Sequence, residues 1–250
     1  GPVCRLQTRI IVNMNYNKDL SIVISLFNEE ESLPELISWI ERVVSENGYT
    51  YEIIMVDDGS TDGSWKTIKN LSAKNPAIRG ISFRRNYGKS AALYHGFKAA
   101  EGRVVITMDA ELQDSPDEIP ELYRMIVEEG YDIVIGSRFV EKKKPISLRM
   151  LGSFFISAAM RITTGCKVKD PTSGMRMFSK KMIKEFALSL NYGPEPDTIS
   201  FLLKQGATIT EVQADMEERM EGESYLTLGR SMNYMLRMLI SILFIQNFRK

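Results

Sequence analysis

Short apolar runs alternate with stretches of helical periodicity along most of this chain. Leu20–Leu26, Tyr51–Val56, Ile78–Phe83, Val104–Met108 and Tyr131–Ile135 are rich in branched apolar residues and end in polar or glycine-bearing turns, the pattern of buried strands. Between them the apolar spacing predicts helices from Ser32, over Ser64–Ala73, Lys89–Ala100 and Pro116–Glu129. Ser32-Leu33-Pro34-Glu35 has the form of a helix start, with Ser32 as cap, proline in the first turn and Glu35 completing a capping box. Strand–helix alternation of this kind predicts an α/β fold, a mostly parallel central sheet joined by right-handed crossovers and flanked by helices.

The alternation breaks after Gly136. A basic loop, Lys142-Lys143-Lys144-Pro145, precedes a helix expected from about Ser147 to Thr163. Asp170–Phe178 reads as a turn into a strand, followed by a short helix at Lys180–Ala187, a helix at Thr198–Gln205 and a strand at Thr208–Ala214. Residues 1–19 are expected to be a leader or expression remnant, 20–224 one domain, and 225–250 an amphipathic helical extension.

The composition, 44% hydrophobic and 26% charged over 250 residues, gives a globular chain ample core. Net charge zero argues against a nucleic-acid binder. Cys4 and Cys166 have no metal or redox spacing, which fits a reducing compartment, and the single histidine, His95, reads as a packing or surface residue. No run of 18 apolar residues is present to span a bilayer.

Two strand ends carry the chemistry. The run from Arg103 ends in Asp109, Glu111 and Gln113, alternate positions that share one side of an extended segment. Such hard oxygen donors suit Mg²⁺ or Mn²⁺. The run from Tyr51 ends in Asp57-Asp58-Gly59-Ser60, where Ser60, Thr61 or Asp62 is expected to cap the next helix, leaving the aspartate pair free for a base or ribose.

The ordered set Ser25-Leu-Phe-Asn-Glu-Glu30, Val56–Asp62, Arg85-Asn-Tyr-Gly-Lys89, Met108–Asp114, Gly136-Ser-Arg138, Asp170-Pro-Thr-Ser-Gly174 and Gly222-Glu-Ser224 resembles the inverting family 2 glycosyltransferases of the GT-A nucleotide-sugar-binding fold, most of all the polyprenyl- or dolichyl-phosphate sugar synthases. The resemblance implies a UDP- or GDP-linked sugar donor, with Phe27, Glu29, Asp57 and Asp58 at the base and ribose, and Gly88 and Lys89 beside them. It implies a metal on the diphosphate held by Asp109, Glu111 and Gln113. It places the acceptor phosphate at Arg138, Arg149, Ser153 and Arg219. Asp109, Glu111 and Arg138 then carry catalysis. Glu111 stands where the family usually has Asp, and Tyr225 where many relatives have Lys.

The expected reaction is metal-dependent, inverting transfer to a polyprenyl phosphate. An acceptor phosphate is already ionised near neutral pH and needs little general-base help. The alternatives are transfer to a glycan hydroxyl, with Glu195 or Asp197 as base, or a weakly active nucleotide-sugar-binding protein. The helix over 225–250 carries Met235, Leu236, Leu239, Ile242, Leu243 and Phe244 on one side, flanked by Arg230, Arg237, Arg249 and Lys250. It is read either as packed on the domain or in a homo-oligomer, or as lying on the cytoplasmic face of an anionic membrane.

Overall fold

The computed structural model describes residues 17–141, 148–188, 193–215 and 228–244. In chain order the elements are β1 Leu20–Leu26, α1 Leu33–Glu46, β2 Tyr51–Asp57, α2 Ser64–Lys74, β3 Ile78–Ser82, α3 Lys89–Ala99 and β4 Val104–Asp109. A 3-10 turn at Pro116–Glu118 leads into α4 Ile119–Val127. Then follow β5 Ile133–Ser137, α5 Leu148–Thr164, β6 Arg176–Ser179, α6 Lys180–Phe186, α7 Pro196–Lys204, β7 Ile209–Gln213 and α8 Leu228–Leu243.

The strands form one seven-stranded sheet in the order β3-β2-β1-β4-β6-β5-β7. All pairings are parallel except those of β6, which runs antiparallel to both β4 and β5. Successive strands build outward from β1 to β3, then restart at β4 on the other side of β1. The register sets Leu26 opposite Asp57 and Ser25 opposite Asp109, so two acidic strand ends flank the end of β1 at this switch point.

Both sheet faces are covered, which is why the central strands read as unbroken apolar runs. On one face Val23, Ile54, Val105 and Ile135 pack against α3, α5, α6, α7 and α8. On the other, Ile22, Ile24, Met55 and Ile106 pack against α1, α2 and α4. Phe97, Phe178 and Phe186 lock α3, β6 and α6 together, their ring centroids 5.0–6.0 Å apart.

The predicted elements form, with local corrections. Ser32 does not cap α1. Its backbone is already helical (φ −79°, ψ −28°), and its hydroxyl donates instead to the Glu29 carbonyl and to Glu29 Oε2. A cap needs extended backbone to reach the first-turn amides. Tyr131 stays outside β5 because its N–H is taken by the Met125 carbonyl at the end of α4. The tail helix docks on the domain: Met238 and Ile242 are buried, and Leu239 and Leu243 pack beside them. Tyr234 Oη donates to Glu195 Oε2 (2.6 Å) and Ser241 Oγ to Asp197 Oδ2 (2.7 Å). Leu236, Ile240 and Phe244 stay exposed. Among the described residues no helix is long and apolar enough to cross a membrane.

Candidate active site

The loops after β1 and β2 are sewn to each other. The N–H of Asn28 donates to Ser60 Oγ, and Asn28 Oδ1 accepts the N–H of Thr61. The N–H of Glu29 donates to Ser64 Oγ, that of Glu30 to Asp62 Oδ2, and Glu30 Oε2 accepts the N–H of Gly63. Ser60 and Asp62 therefore serve this neighbouring loop, and Asp62 Oδ1 also accepts the Ser64 N–H at the start of α2. Phe27, at the head of the loop, is 42% exposed beside the end of β2.

The aspartate pair is not free, contrary to the expectation from sequence. Asp57 is buried and accepts from the N–H of Ser60 (2.8 Å) and the hydroxyl of Ser82. Asp58, also buried, accepts the N–H groups of Tyr87 (2.7 Å) and Gly88 (2.8 Å). Gly59 must be glycine: its φ is +78°, and a Cβ there would lie 2.3 Å from the Arg85 carbonyl carbon. The acidic turn is a clamp on residues 85–88. Gly88, at φ +95°, ends that segment and releases the chain into α3.

The clamp aims Lys89. From the first turn of α3 its Nζ reaches Asp109 Oδ1 at 2.5 Å. Removal from water alone would lower its pKa, but the charge and hydrogen bond of Asp109 outweigh this and raise it. Lys89 thus faces the end of β4 and not the nucleoside side where the resemblance set it.

The chain after Asp109 does not stay extended. It bends through residues 110–112, with Leu112 at φ +57°. Alternation therefore fails as the reason for grouping Asp109, Glu111 and Gln113. Gln113 Nε2 donates to Glu111 Oε2 (3.1 Å), and it is the buried Asp114 that turns back to accept the N–H of Asp109 (3.2 Å). Burial and then the charge of Asp109 push the Asp114 carboxyl up to about 7. Asp114 was missed as a site residue, although it closes the same acidic segment in the sequence.

Gly174 backs the other Asp109 oxygen. A Cβ at this position would lie 2.3 Å from Asp109 Oδ2. Gly174→Ala is expected to push the carboxylate aside and lower turnover about a hundredfold, the usual cost of misplacing a group by an ångström. The unfolding midpoint should move by no more than about 4 °C, a change of about 1 kcal/mol. Turnover at the wild-type rate would separate Gly174 from the chemistry.

Arg138, in the turn after β5, meets the other end of the 170–174 turn that carries Gly174. Its Nε and Nη2 grip Asp170 Oδ2 and Oδ1 (2.9 and 3.2 Å), and its main-chain N–H also donates to Asp170 (3.3 Å). Asp170 is fully buried. Glu211 in turn accepts the N–H groups of Lys169 and Asp170, both at 2.7 Å. Ser173 Oγ donates to the Gly136 carbonyl (2.6 Å), fixing the turn against β5. The buried Arg176 holds the Pro171 and Pro194 carbonyls. These supports were unassigned in the sequence because their partners lie far away along the chain.

Of the remaining expected residues, Glu29 accepts from Ser32, and Ser153 is buried on α5. Arg149 falls in the first turn of α5, and its side chain lies outside the described residues, as does all of Arg219. Glu195 and Asp197, the bases named for a hydroxyl acceptor, are the groups that receive Tyr234 and Ser241.

Among the described residues no three His, Cys, Asp or Glu side chains group as a complete metal cage. Mg²⁺ and Mn²⁺ bound together with substrate phosphates need only one or two carboxylates. Asp109 and Glu111 are donors of that kind, so the residues present fit a divalent ion completed by a diphosphate.

A sheet that reverses its order beside acidic strand ends is the arrangement in which α/β proteins bind ligands of the nucleotide type. Residues 21–186 match the model of glycosyl transferase family 2, and the chain belongs to that family. The undecaprenyl-phosphate 4-deoxy-4-formamido-L-arabinose transferase of Aeromonas hydrophila is 34% identical over 220 residues, 87% of this chain and 66% of that protein. The chain thus spans about two thirds of that relative's length. Glucosyl-3-phosphoglycerate synthase of Mycobacterium tuberculosis, solved with Mn²⁺, UDP-glucose and phosphoglyceric acid, superimposes with a TM-score of 0.65 at 21% identity, covering 91% of this chain and 80% of that one. A mannosyltransferase of Pyrobaculum calidifontis, solved with GDP-mannose and Mn²⁺, gives 0.62 at 14% identity, covering 94% and 72%. The fold is the GT-A fold, as the motif order implied.

Proposed function

We propose that this protein transfers a sugar, with inversion, from a UDP- or GDP-linked donor to a polyprenyl phosphate in the presence of Mg²⁺ or Mn²⁺. The observation that carries the acceptor half is the turn at residues 170–174. At one end Asp170 grips the Arg138 fork, and at the other Gly174 abuts the Asp109 carboxylate. Arginine donors suit phosphate oxygens; Asp170 takes Nε and Nη2 and leaves Nη1 for an acceptor phosphate, and the Arg138 charge is felt by Asp114 in the same acidic segment as Asp109. The name of the Aeromonas relative supports the same acceptor class.

In this reading Phe27, Glu29, Gly88 and the clamp formed by Asp57 and Asp58 shape the nucleoside pocket. Asp109 and Glu111, with Gln113 on Glu111, hold the ion, which when bound neutralises charge on the departing diphosphate. Lys89, paired with Asp109 Oδ1, would supply a second positive charge beside the diphosphate. Arg138, with Arg149, Ser153 and Arg219, receives the acceptor phosphate. Transfer to a glycan hydroxyl is the weaker reading, because Glu195 and Asp197 already accept hydrogen bonds from α8.

A panel of UDP-, GDP- and dTDP-sugars offered with Mn²⁺ and either a prenyl phosphate or a glycan tests this. A prenyl phosphosugar that disappears with excess chelator is the expected product; transfer to the glycan alone overturns the acceptor. We further propose attachment to the cytoplasmic face of the membrane through the exposed apolar residues of α8. Co-sedimentation with anionic vesicles that weakens as salt rises is expected, and a chain left in the supernatant at low salt refutes it.

A further inference from the structure

A pocket is lined by Phe139 and Lys169, the residues that directly follow Arg138 and precede Asp170. It is an open pocket of about 340 Å³ between α5 and the segment 167–169. That volume falls at the small end of the range for ligand sites, ~300–1,000 Å³. Phe139 and Phe154 supply apolar wall, and Arg161, Lys167 and Lys169 line the same pocket with no carboxylate among its lining residues. Lys169 is tied down, its Nζ donating to the Val140 carbonyl (2.7 Å). Arg161 and Lys167 are exposed at the mouth.

An independent observation points to a ligand. Ser157 lines the pocket, and its hydroxyl oxygen, turned inward and buried, has no hydrogen-bond partner among the described residues. Buried hydroxyls normally have one, and leaving one unpaired is costly. Ser157 precedes Arg161 by one helical turn, so the two share a face of α5. A change of the Ser157 χ1 rotamer would bring the hydroxyl to the pocket surface, where one phosphate could meet it and the cations together. An aromatic wall beside a cationic mouth fits an anion carrying an apolar chain.

We propose that this pocket is a loading subsite for a prenyl phosphate. The phosphate takes Ser157, Arg161 and Lys167, and the adjoining isoprene units lie on Phe139 and Phe154. The pocket is too small for a long carrier. The rest of the chain runs along Leu151, Phe155 and Ile162, which with Phe154 leave an exposed apolar stripe on α5. The subsite adjoins the proposed transfer position. Phe139 follows Arg138 in the chain, and the Arg138 guanidinium carbon sits 5.1 Å from the Phe139 ring centroid. Lys169 likewise precedes Asp170. The inference rests on the prenyl phosphate acceptor proposed above.

The test is equilibrium binding of farnesyl phosphate to the full chain, with farnesol, inorganic phosphate and a short-chain phosphatidylglycerol as competitors. The variants are R161E/K167E and, separately, F154D. All three side chains are exposed, so folding should survive, and circular dichroism checks it. Each variant is expected to weaken farnesyl phosphate binding about tenfold or more, since each basic residue contributes about one kilocalorie per mole at an anionic lipid and two charges are reversed. In transfer assays KM for the acceptor should rise with kcat nearly unchanged, the mark of lost uniform binding. Farnesol and inorganic phosphate should each compete weakly. Unchanged binding in R161E/K167E, or equal competition by phosphatidylglycerol, overturns the subsite. Tight binding here with no transfer to any prenyl phosphate would instead overturn the proposed acceptor and leave the pocket standing.

Discussion

Asp109→Ala is expected to lower sugar transfer about a thousandfold or more while leaving the protein folded. A divalent ion stabilising the leaving diphosphate is worth several kcal/mol, and each ~1.4 kcal/mol is a factor of ten in rate. The structural cost is small. Asp109 ends β4 partly exposed, and its pair with Lys89 has side-chain exposures of 37% and 48%. A pair so open to solvent contributes at most about 1 kcal/mol. Product formation and thermal melting, measured together, separate the two effects. Transfer near the wild-type rate in this variant would remove Asp109 from the mechanism.

The second large effect is on stability. Asp170→Ala should lower the unfolding free energy by about 2–3 kcal/mol and the midpoint by roughly 5–10 °C. Asp170 is fully buried and receives both the fork and the main chain of Arg138. Removing one partner of a buried pair costs about 3–5 kcal/mol, and the lower figure here allows for the 27% exposure of the Arg138 side chain. Asp170→Asn keeps the shape and one good acceptor, so its melting point should fall less. If Asp170→Ala melts within about 2 °C of wild type, the pair is not a structural support.

Most of the fold was legible because the central strands are covered on both faces and announce themselves as unbroken apolar runs. The motif order resembled the right family for the same reason: each motif sits where a strand meets its loop. What was not legible were connections made across the sheet. Nothing local says that the Asp58 carboxylate is spent on the amides of Tyr87 and Gly88, or that Arg138 is met by Asp170. The spacing of Asp109, Glu111 and Gln113 misled, since alternation holds only while the backbone stays extended and Leu112 ends that at φ +57°. Ser32 failed as a cap because its own backbone is already helical, which leaves its hydroxyl donating back to Glu29 instead of accepting from the first-turn amides. The tail's apolar side was read correctly as apolar, but periodicity cannot say which part of it another helix covers.

The reversed direction of β6 has a consequence for how such a protein can change. In a wholly parallel sheet every loop reaching the reactive end leaves a strand there. β6 runs the other way, so the segment 170–174 reaches that end as an entrance and not as an exit. The exits of β1 and β2, proposed above to hold the nucleoside, lie on the far side of β4 from this entrance. Insertions upstream of residue 170 can therefore remodel what is proposed to receive the sugar while Gly174 keeps its place against Asp109 and the loops after β1 and β2 stay untouched. One strand laid against the grain divides the protein into two parts that can diverge at different rates.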